Sequence, residues 1–298
     1  FIMMNGARLF VGIQGIGLSE TAFQSALHYS KERVQGKLPD SENVADPIIV
    51  HPEIRKNLMF MKSMNDGIRG LMLKAGHAFD IIESDQNEEL TKSSDNLIAL
   101  LTPILKSFAT DKSMEITNQA LQIYGGHGYI TDHGMEQLVR DARITPIYEG
   151  TNGIQALDLI GRKFNIHNGL IINQYLNEIN KFLEDNKDDK KLHKFINLFD
   201  PSYIDLKESI KFIKKIPLNN TQEINSHAVD LLNLFALVAV GFTWLEFIHV
   251  SITKIEDQDD DFYLAKIQLG EFYLTKVILE TQKFKNNIIS SGKLYNEF

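Results

Sequence analysis

The sequence predicts an all-α protein, built as an antiparallel helical bundle that is followed by a second helical domain. Apolar residues recur at helical spacing through most of the 298 residues, and short polar or proline-containing stretches separate the segments that carry them. Short connections place successive helices side by side in opposite directions, which favours a bundle. The composition shifts toward Asn, Lys and Ile after Lys163, so the predicted domains are residues 1–163 and 164–298, and the chain is long enough for two cores.

Five helices are predicted in the first domain. They cover residues 5–35, 52–84, 95–124, 135–140 and 152–163. Small residues between the apolar positions of the first helix indicate close packing against another helix. Pro103 is expected near the beginning of the third helix, where its missing N–H is tolerated.

Five further helices are predicted in the second domain. They cover residues 170–183, 192–199, 203–216, 226–255 and 262–289. Residues 231–245 form the longest uncharged run and are expected to be the central helix, with Phe235 and Trp244 buried against the helices at 170–183 and 262–289. The run has about 15 residues, whereas a membrane span needs about 20, so we expect no span.

The composition excludes several classes of function. A net charge of −8 disfavours nucleic-acid binding, which requires a surplus of Lys and Arg. The chain has no cysteine, so disulfides, thiolate catalysis and cysteine-ligated metals are excluded, and we expect a cytoplasmic protein. The sequence begins with Phe1 inside an apolar helical pattern, which we interpret as the carboxyl-terminal half of a longer protein.

Glu149 is the candidate catalytic residue. It lies between the apolar residues 144–148 and the run Gly150, Thr151, Asn152 and Gly153, which is suited to a tight turn followed by a helix start. Desolvation penalises the charged form of a carboxylate, so a glutamate in apolar surroundings is a candidate base for taking a proton from carbon. The alternative is an ordinary first-turn glutamate that the helix dipole stabilises.

Residues 122–163 carry a resemblance to a known family. The order of Gln122, the glycines 125, 126 and 128, the motif Arg-Asp-Ala-Arg at 140–143 and Tyr-Glu-Gly-Thr-Asn at 148–152 resembles the carboxyl-terminal part of the acyl-CoA dehydrogenases. The string EGTNGIQALDLIGRK resembles the corresponding motif of the family branch that includes 3-methylmercaptopropionyl-CoA dehydrogenase. The resemblance is specific over residues 1 to 163 and looser afterwards.

The resemblance implies roles for ten residues. Glu149 would be the base that removes the α-proton of an acyl-CoA, while FAD takes the hydride. Arg33, in Glu-Arg-Val-Gln-Gly at 32–36, would reach the FAD of a neighbouring subunit. The other residues implied in cofactor binding are Gln122, Gly125, Gly126, Thr151 and Asn152. Those implied in substrate binding are Asn5, Arg8 and Gly150, and the guanidinium of Arg8 suits a phosphate.

The resemblance also implies partners, and one residue departs from the family pattern. The partners are an acyl-CoA substrate, an electron-transferring flavoprotein and further copies of the chain in a homodimer or homotetramer. Many family members have Gln where this chain has Gly153, so that flavin contact must be absent or supplied otherwise. No metal is expected, because His127 and His133 lack further ligands at metal-binding spacing. Two alternatives stay open: an acyl-CoA oxidase that uses O₂, and a non-catalytic helical assembly module.

Overall fold

The computed structural model describes residues 2–84, 87–164, 169–257 and 261–290. Twelve α-helices are found in this part of the chain. They are α1 (Ile2–Glu32), α2 (Pro52–Ser84), α3 (Glu88–Tyr124), α4 (Gly126–Tyr129), α5 (Met135–Ile144), α6 (Asn152–Leu157), α7 (Leu170–Asp185), α8 (His193–Ile213), α9 (Thr221–Ser226), α10 (Ala228–Asp257), α11 (Asp261–Phe272) and α12 (Thr281–Ile289). These residues contain no strand, only an isolated bridge between Val34 and Pro47. The all-α prediction is confirmed.

Helix α3 is the central helix of the first bundle. All side chains from 101 to 110 are buried, and α1 and α2 pack along it. Helix α1 lies so close to α3 that a Cβ on Gly15 would stand 2.9 Å from the carbonyl oxygen of Ala109. Gly12 faces Leu105 in the same way, and Tyr29 stacks on Tyr124. Helices α1 and α3 therefore run parallel, with α2 antiparallel to both.

Helix α3 begins earlier than predicted. The side chain of Asn87 accepts hydrogen bonds from the backbone nitrogens of Glu89 and Leu90, at 3.0 and 3.1 Å, and caps the helix. Pro103 consequently lies in the helix interior, and its predicted place near the helix start is wrong. The surrounding residues are completely buried, so tertiary packing outweighs the local cost of the proline, about 3 kcal/mol.

The helices predicted at 192–199 and 203–216 are a single helix, α8, that contains Pro201. Proline removes the hydrogen bond to the carbonyl four residues earlier, on Asn197. Pro201 and Asn197 are both exposed, so water can satisfy that carbonyl, while Phe199 and Tyr203 remain buried on the inner face.

Several predicted helices differ from the observed ones at their ends or in regularity. Helix α1 ends at Glu32, before the predicted residue 35, and α5 extends to Ile144. Helix α6 continues as a π-helical segment, Asp158–Lys163, so the prediction for 152–163 is confirmed as helical but not as regular. The helix predicted at 262–289 is interrupted between α11 and α12 by the π-helical segment Tyr273–Val277 and the 3₁₀ segment Ile278–Glu280.

Helix α10 is enclosed by other helices, as the sequence predicts. Trp244 and Phe235 are fully buried. The Phe235 ring lies 5.7 Å from that of Tyr175 on α7, and a Cβ on Gly270 of α11 would stand 3.1 Å from the Trp244 ring. Helix α2 also encloses α10, because Gly67 lies against Val240 and Trp244.

The expectation about the length of the apolar run was wrong. Helix α10 has one window, within Ala228–Ile255, that is long and apolar enough to cross a membrane by length and composition, with a mean hydropathy of 1.9. The apolar helix extends beyond the uncharged run, and Glu246, the first charged residue after that run, forms an ion pair with Lys74 at 3.0 Å. Since 83% of that window is buried within the protein, the other helices cover the surface that a membrane would cover.

The buried apolar side chains of the described residues form one continuous cluster. It extends from Leu9 on α1 to Ile288 on α12. Two polar contacts reinforce the junction between the halves: Lys74 on α2 bonds Glu178 on α7 at 2.6 Å, and Lys266 on α11 bonds Asp66 on α2 at 2.6 Å. The two predicted domains therefore share one core, because α10 and α2 pack their apolar faces together.

Candidate functional site

Glu149 lies on a chain reversal between α5 and α6. Its backbone has φ 55°, and it is the one residue other than glycine with positive φ in the described part of the chain. Gly150 follows with φ 86°, and Thr151 then caps α6 by accepting a hydrogen bond from the nitrogen of Ile154 at 3.4 Å. A left-handed backbone is unfavourable for a residue that carries a side chain, as Glu149 does. Surrounding contacts must therefore hold this turn.

The carboxylate of Glu149 is exposed. The prediction of apolar surroundings is thus wrong for the residues of this chain, because the helices pack against the inner, carbonyl side of the turn. The alternative of an ordinary first-turn residue is also wrong, since Glu149 precedes the cap of α6 and is outside the helix. Among the described residues, no group accepts a hydrogen bond from the backbone N–H of Glu149.

The inner side of the turn is held by two buried side chains that sequence reasoning missed. The Nζ of Lys106 on α3 donates to the carbonyl oxygen of Gly150 at 3.0 Å and to Oδ1 of Asn152 at 2.9 Å. The Nε2 of Gln155 donates to the carbonyl oxygens of Glu149 and Gly150, at 3.3 and 3.2 Å. One available signal was a lysine on the inner face of α3, in a segment that is otherwise mostly apolar.

The amide of Asn152 is directed into the bundle. Its Nδ2 donates to the carbonyl oxygen of Ser107, to Oγ1 of Thr110 and to Oδ1 of Asp111, at 3.1, 2.9 and 2.7 Å. These hydrogen bonds use the Asn152 side chain to hold the turn against α3. The predicted contact of Thr151 and Asn152 with a flavin stays a prediction, and for Asn152 it would have to use backbone atoms.

Arg8 lies beneath the same turn. Its Nη1 forms an ion pair with Asp158 at 3.2 Å, and its Nη2 lies 3.8 Å from the position of a Cβ on Gly150. Asn5 precedes Arg8 by one turn of α1 and is partly buried. The structure thus brings Asn5, Arg8 and Gly150 into one region, but the guanidinium is already paired with a carboxylate. Its predicted contact with a phosphate stays a prediction.

Four residues predicted to bind the cofactor line a second site. Arg33, Gln122, Gly125 and Gly126 border a cleft of about 790 Å³ between the carboxyl-terminal ends of α1 and α3. Gly125 has φ 60° and ψ −140°, a conformation that favours glycine, and a Cβ on either glycine would meet nothing within 4 Å. The backbone of this turn is therefore open to a ligand.

The chemistry of the cleft fits a dinucleotide. Arg33 and Gln122 are exposed side chains that offer a guanidinium and an amide.

The adjoining loop is fixed by Asp46, which accepts hydrogen bonds from Ser41 Oγ at 2.6 Å and from the nitrogen of Leu38 at 2.9 Å. These bonds lower the pKa of Asp46 to about 2, so its charge persists.

Two histidines next to the cleft stack on each other. The rings of His127 and His133 are 5.0 Å apart, and Nδ1 of His127 is 2.9 Å from the hydroxyl oxygen of Tyr29. Across the described ranges, no group of three or more His, Cys, Asp or Glu side chains is arranged to hold a metal ion.

The two sites are far apart within one chain. Arg8 lies on α1 and Arg33 directly follows its last residue, Glu32, so at 1.5 Å per residue their backbones are roughly 37 Å apart. The Glu149 turn and the cleft at Arg33 therefore cannot form one reaction centre in a single copy of the chain.

Comparison with known proteins assigns the fold to a family. Residues 2–164 match the acyl-CoA dehydrogenase C-terminal domain, and residues 175–295 match a domain described as acetyl-CoA dehydrogenase C-terminal like. The chain belongs to the acyl-CoA dehydrogenase family.

One similar relative and two similar solved structures are informative. The chain is 43% identical over 164 residues to 3-methylmercaptopropionyl-CoA dehydrogenase of Ruegeria pomeroyi, a match over 55% of this chain and 28% of the relative. The structure of Caenorhabditis elegans ACDH-11 in complex with C11-CoA matches 93% of this chain and 43% of that one, with a TM-score of 0.76 and 21% identity. The acyl-CoA dehydrogenase of Bacillus anthracis complexed with FAD matches 99% of this chain and 50% of that one, with a TM-score of 0.75 and 17% identity.

These matches support the predicted resemblance and show how much of the relatives the chain represents. The two structural matches are below 25% identity and show the shared fold, including the second helical region. The chain spans half or less of the length of each of these three proteins.

Proposed function

We propose that the complete protein is an FAD-dependent acyl-CoA dehydrogenase, which converts an acyl-CoA thioester to the trans-2-enoyl-CoA with Glu149 as base. The observation that carries this proposal is the turn at Glu149. An exposed carboxylate is placed on a left-handed backbone that buried side chains hold from the opposite side.

The residues of the turn have distinct tasks in this reaction. The Glu149 carboxylate takes the α-proton, and its backbone N–H, which has no acceptor in the described part of the chain, donates to the thioester carbonyl oxygen as negative charge develops there. Gly150 lets the thioester approach the backbone. Bound FAD would accept the hydride from the β-carbon.

The cleft at Arg33 would hold the cofactor of a second copy of the chain. Arg33, Gln122 and the Gly125–Gly126 turn supply a cation, an amide and open backbone to a dinucleotide. The cleft is roughly 37 Å from the Glu149 turn along α1, so it serves a different reaction centre. This separation supports a homodimer or homotetramer.

The electron acceptor and setting are also part of the proposal. The similar relative from Ruegeria is named a dehydrogenase, which favours transfer to an electron-transferring flavoprotein over the oxidase alternative. A place in fatty acid metabolism and a cytoplasmic location agree with the acyl-CoA substrate and the absence of cysteine. The alternative of an assembly module explains neither the strained turn nor its exposed carboxylate.

The direct test is Glu149→Gln in the full-length protein. The amide is nearly isosteric but cannot accept the proton, so we expect normal FAD content and loss of flavin reduction by acyl-CoA under anaerobic conditions. Glu115→Gln, which removes a half-exposed carboxylate paired with Lys112, is the matched control and should reduce flavin normally. If acyl-CoA reduces the flavin of Glu149→Gln at a near-normal rate, the proposal is wrong.

A further inference from the structure

The ammonium of Lys106 is buried in the centre of the first bundle, directly beneath the turn that carries Glu149. The residue is fully buried, in a segment where every side chain from 101 to 110 is buried. A lysine in such a place is costly unless its donors are satisfied. Within the described part of the chain, both hydrogen bonds of the Lys106 ammonium go to residues that follow Glu149: the carbonyl of Gly150 and the side chain of Asn152.

These two bonds act on the peptide planes of the turn. The carbonyl of Gly150 belongs to the peptide group that leads into Thr151, and Lys106 fixes its direction. Gln155 fixes the preceding carbonyl, that of Glu149. With both carbonyls directed inward, the Glu149 backbone keeps φ at 55° although it bears a side chain.

We propose that Lys106 is a positioning residue for proton transfer, which keeps the Glu149 carboxylate in place by bonding the Gly150 carbonyl and the Asn152 side chain. This inference rests on the proposed function of Glu149. Lys106 does not touch the substrate, because it reaches the turn from the buried side.

Electrostatics support the same assignment. Burial lowers the pKa of Lys106 to about 8, and the positive charge of Arg8 acts in the same direction, while the negative charges of Asp111 and Glu149 oppose it. The Lys106 ammonium therefore lies close enough to the Glu149 carboxylate to feel its charge, in agreement with the hydrogen bonds that place it beneath this turn.

Loss of the lysine should affect turnover more than folding. Without it, the Gly150 carbonyl still accepts from Gln155, and Asn152 still bonds Ser107, Thr110 and Asp111. The variant Lys106→Met keeps a side chain of similar length and removes an ammonium from an apolar site. A folded protein with a less well placed carboxylate is the expected result.

The first experiment compares Lys106→Met with Lys163→Met in the full-length, FAD-loaded protein. Lys163 is a second buried lysine, 4% exposed, at the end of the π-helical segment that follows α6, and burial lowers its pKa as well. We expect kcat to fall about 10- to 100-fold in Lys106→Met, with KM changed less than about threefold, because misplacement of a catalytic group mainly slows the chemical step. Lys163→Met should keep wild-type kcat.

A second measurement covers the case in which Lys106→Met folds poorly. The variant Lys106→Gln keeps a polar group, but its side chain is too short to reach the turn as lysine does. Hydrogen exchange of the backbone amides at 149–155 should become faster in this variant, while exchange in α10 stays unchanged. Equal acceleration in both regions would show a merely structural role and overturn the proposal.

The third measurement asks whether Lys106 acts through Glu149. In the Glu149→Asp background the carboxylate is already displaced, so adding Lys106→Met should cost less rate than it costs the wild type. Full additivity contradicts the proposal. If Lys106→Met keeps wild-type kcat while Glu149→Gln is inactive, only the positioning role is rejected. If Glu149→Gln is active, the proposed function itself is rejected.

Discussion

The indole nitrogen of Trp244 on α10 donates a hydrogen bond to the backbone carbonyl oxygen of Ser63 on α2, over 3.1 Å. The ring is fully buried and joins the second helical region to the first. The two regions that the family comparison distinguishes therefore depend on each other for burial of their apolar faces.

Trp244→Ala should destabilise both regions together. Removing a large buried aromatic side chain costs about 3–5 kcal/mol, and here the cavity would open between α2, α10 and α11. Hydrogen exchange measured against urea concentration should show α3 and α7 losing protection at the same, lowered concentration. The control Leu218→Ala, at an exposed position, should leave both unchanged. Separate transitions for α3 and α7 would contradict the shared core.

Two glycines on α2 should respond to alanine in opposite directions. A Cβ on Gly67 would stand 2.6 Å from Val240 and 2.7 Å from Trp244, so Gly67→Ala should destabilise the protein by about 1–3 kcal/mol. Gly76 has open space around its Cβ position, so Gly76→Ala should stabilise it by about 0.5–1 kcal/mol, because alanine restricts the unfolded chain. Thermal unfolding of the two variants measures both effects. The same sign for both would refute the role of Gly67 as a contact point.

The buried lysine predicts a pH dependence of stability. Because burial lowers the pKa of Lys106 from 10.5 to about 8, the unfolded chain binds more protons than the folded chain between these values. The free energy of unfolding of the wild type should therefore rise relative to that of Lys106→Met as the pH increases from 8 to 10.5, by up to about 3 kcal/mol. Urea midpoints at intervals from pH 7 to 10.5 measure this difference. A constant difference over that range would show that Lys106 keeps an ordinary pKa.

Most of the fold could be predicted from periodicity, because each long helix buries a continuous apolar face. The errors occurred where tertiary packing outweighed local signals. Pro103 and Pro201 are tolerated inside helices that the core holds on both sides of the proline. Apolar periodicity also could not show that α10 is covered by α2, since the contacts use glycines, which carry no apolar signal.

The candidate site was predicted in part. The glycines and Glu149 mark the turn in the sequence because backbone conformation there requires particular residues. The inward direction of the Asn152 amide and the role of Lys106 depend on where α3 lies relative to the turn. Residue spacing along the chain contains no information on that distance.

On α2, Gly67 and Gly70 form a groove in which Val240 and Thr243 of α10 lie, and this groove affects the order in which the protein folds during synthesis. Trp244, which bonds within this groove, follows its partner Ser63 by 181 residues. The ribosome therefore releases the first bundle long before the helix that covers its apolar side. We expect the emerging chain to expose that groove until α10 has left the exit tunnel, so a chain shortened to end at Asp185 should associate with itself or require a chaperone.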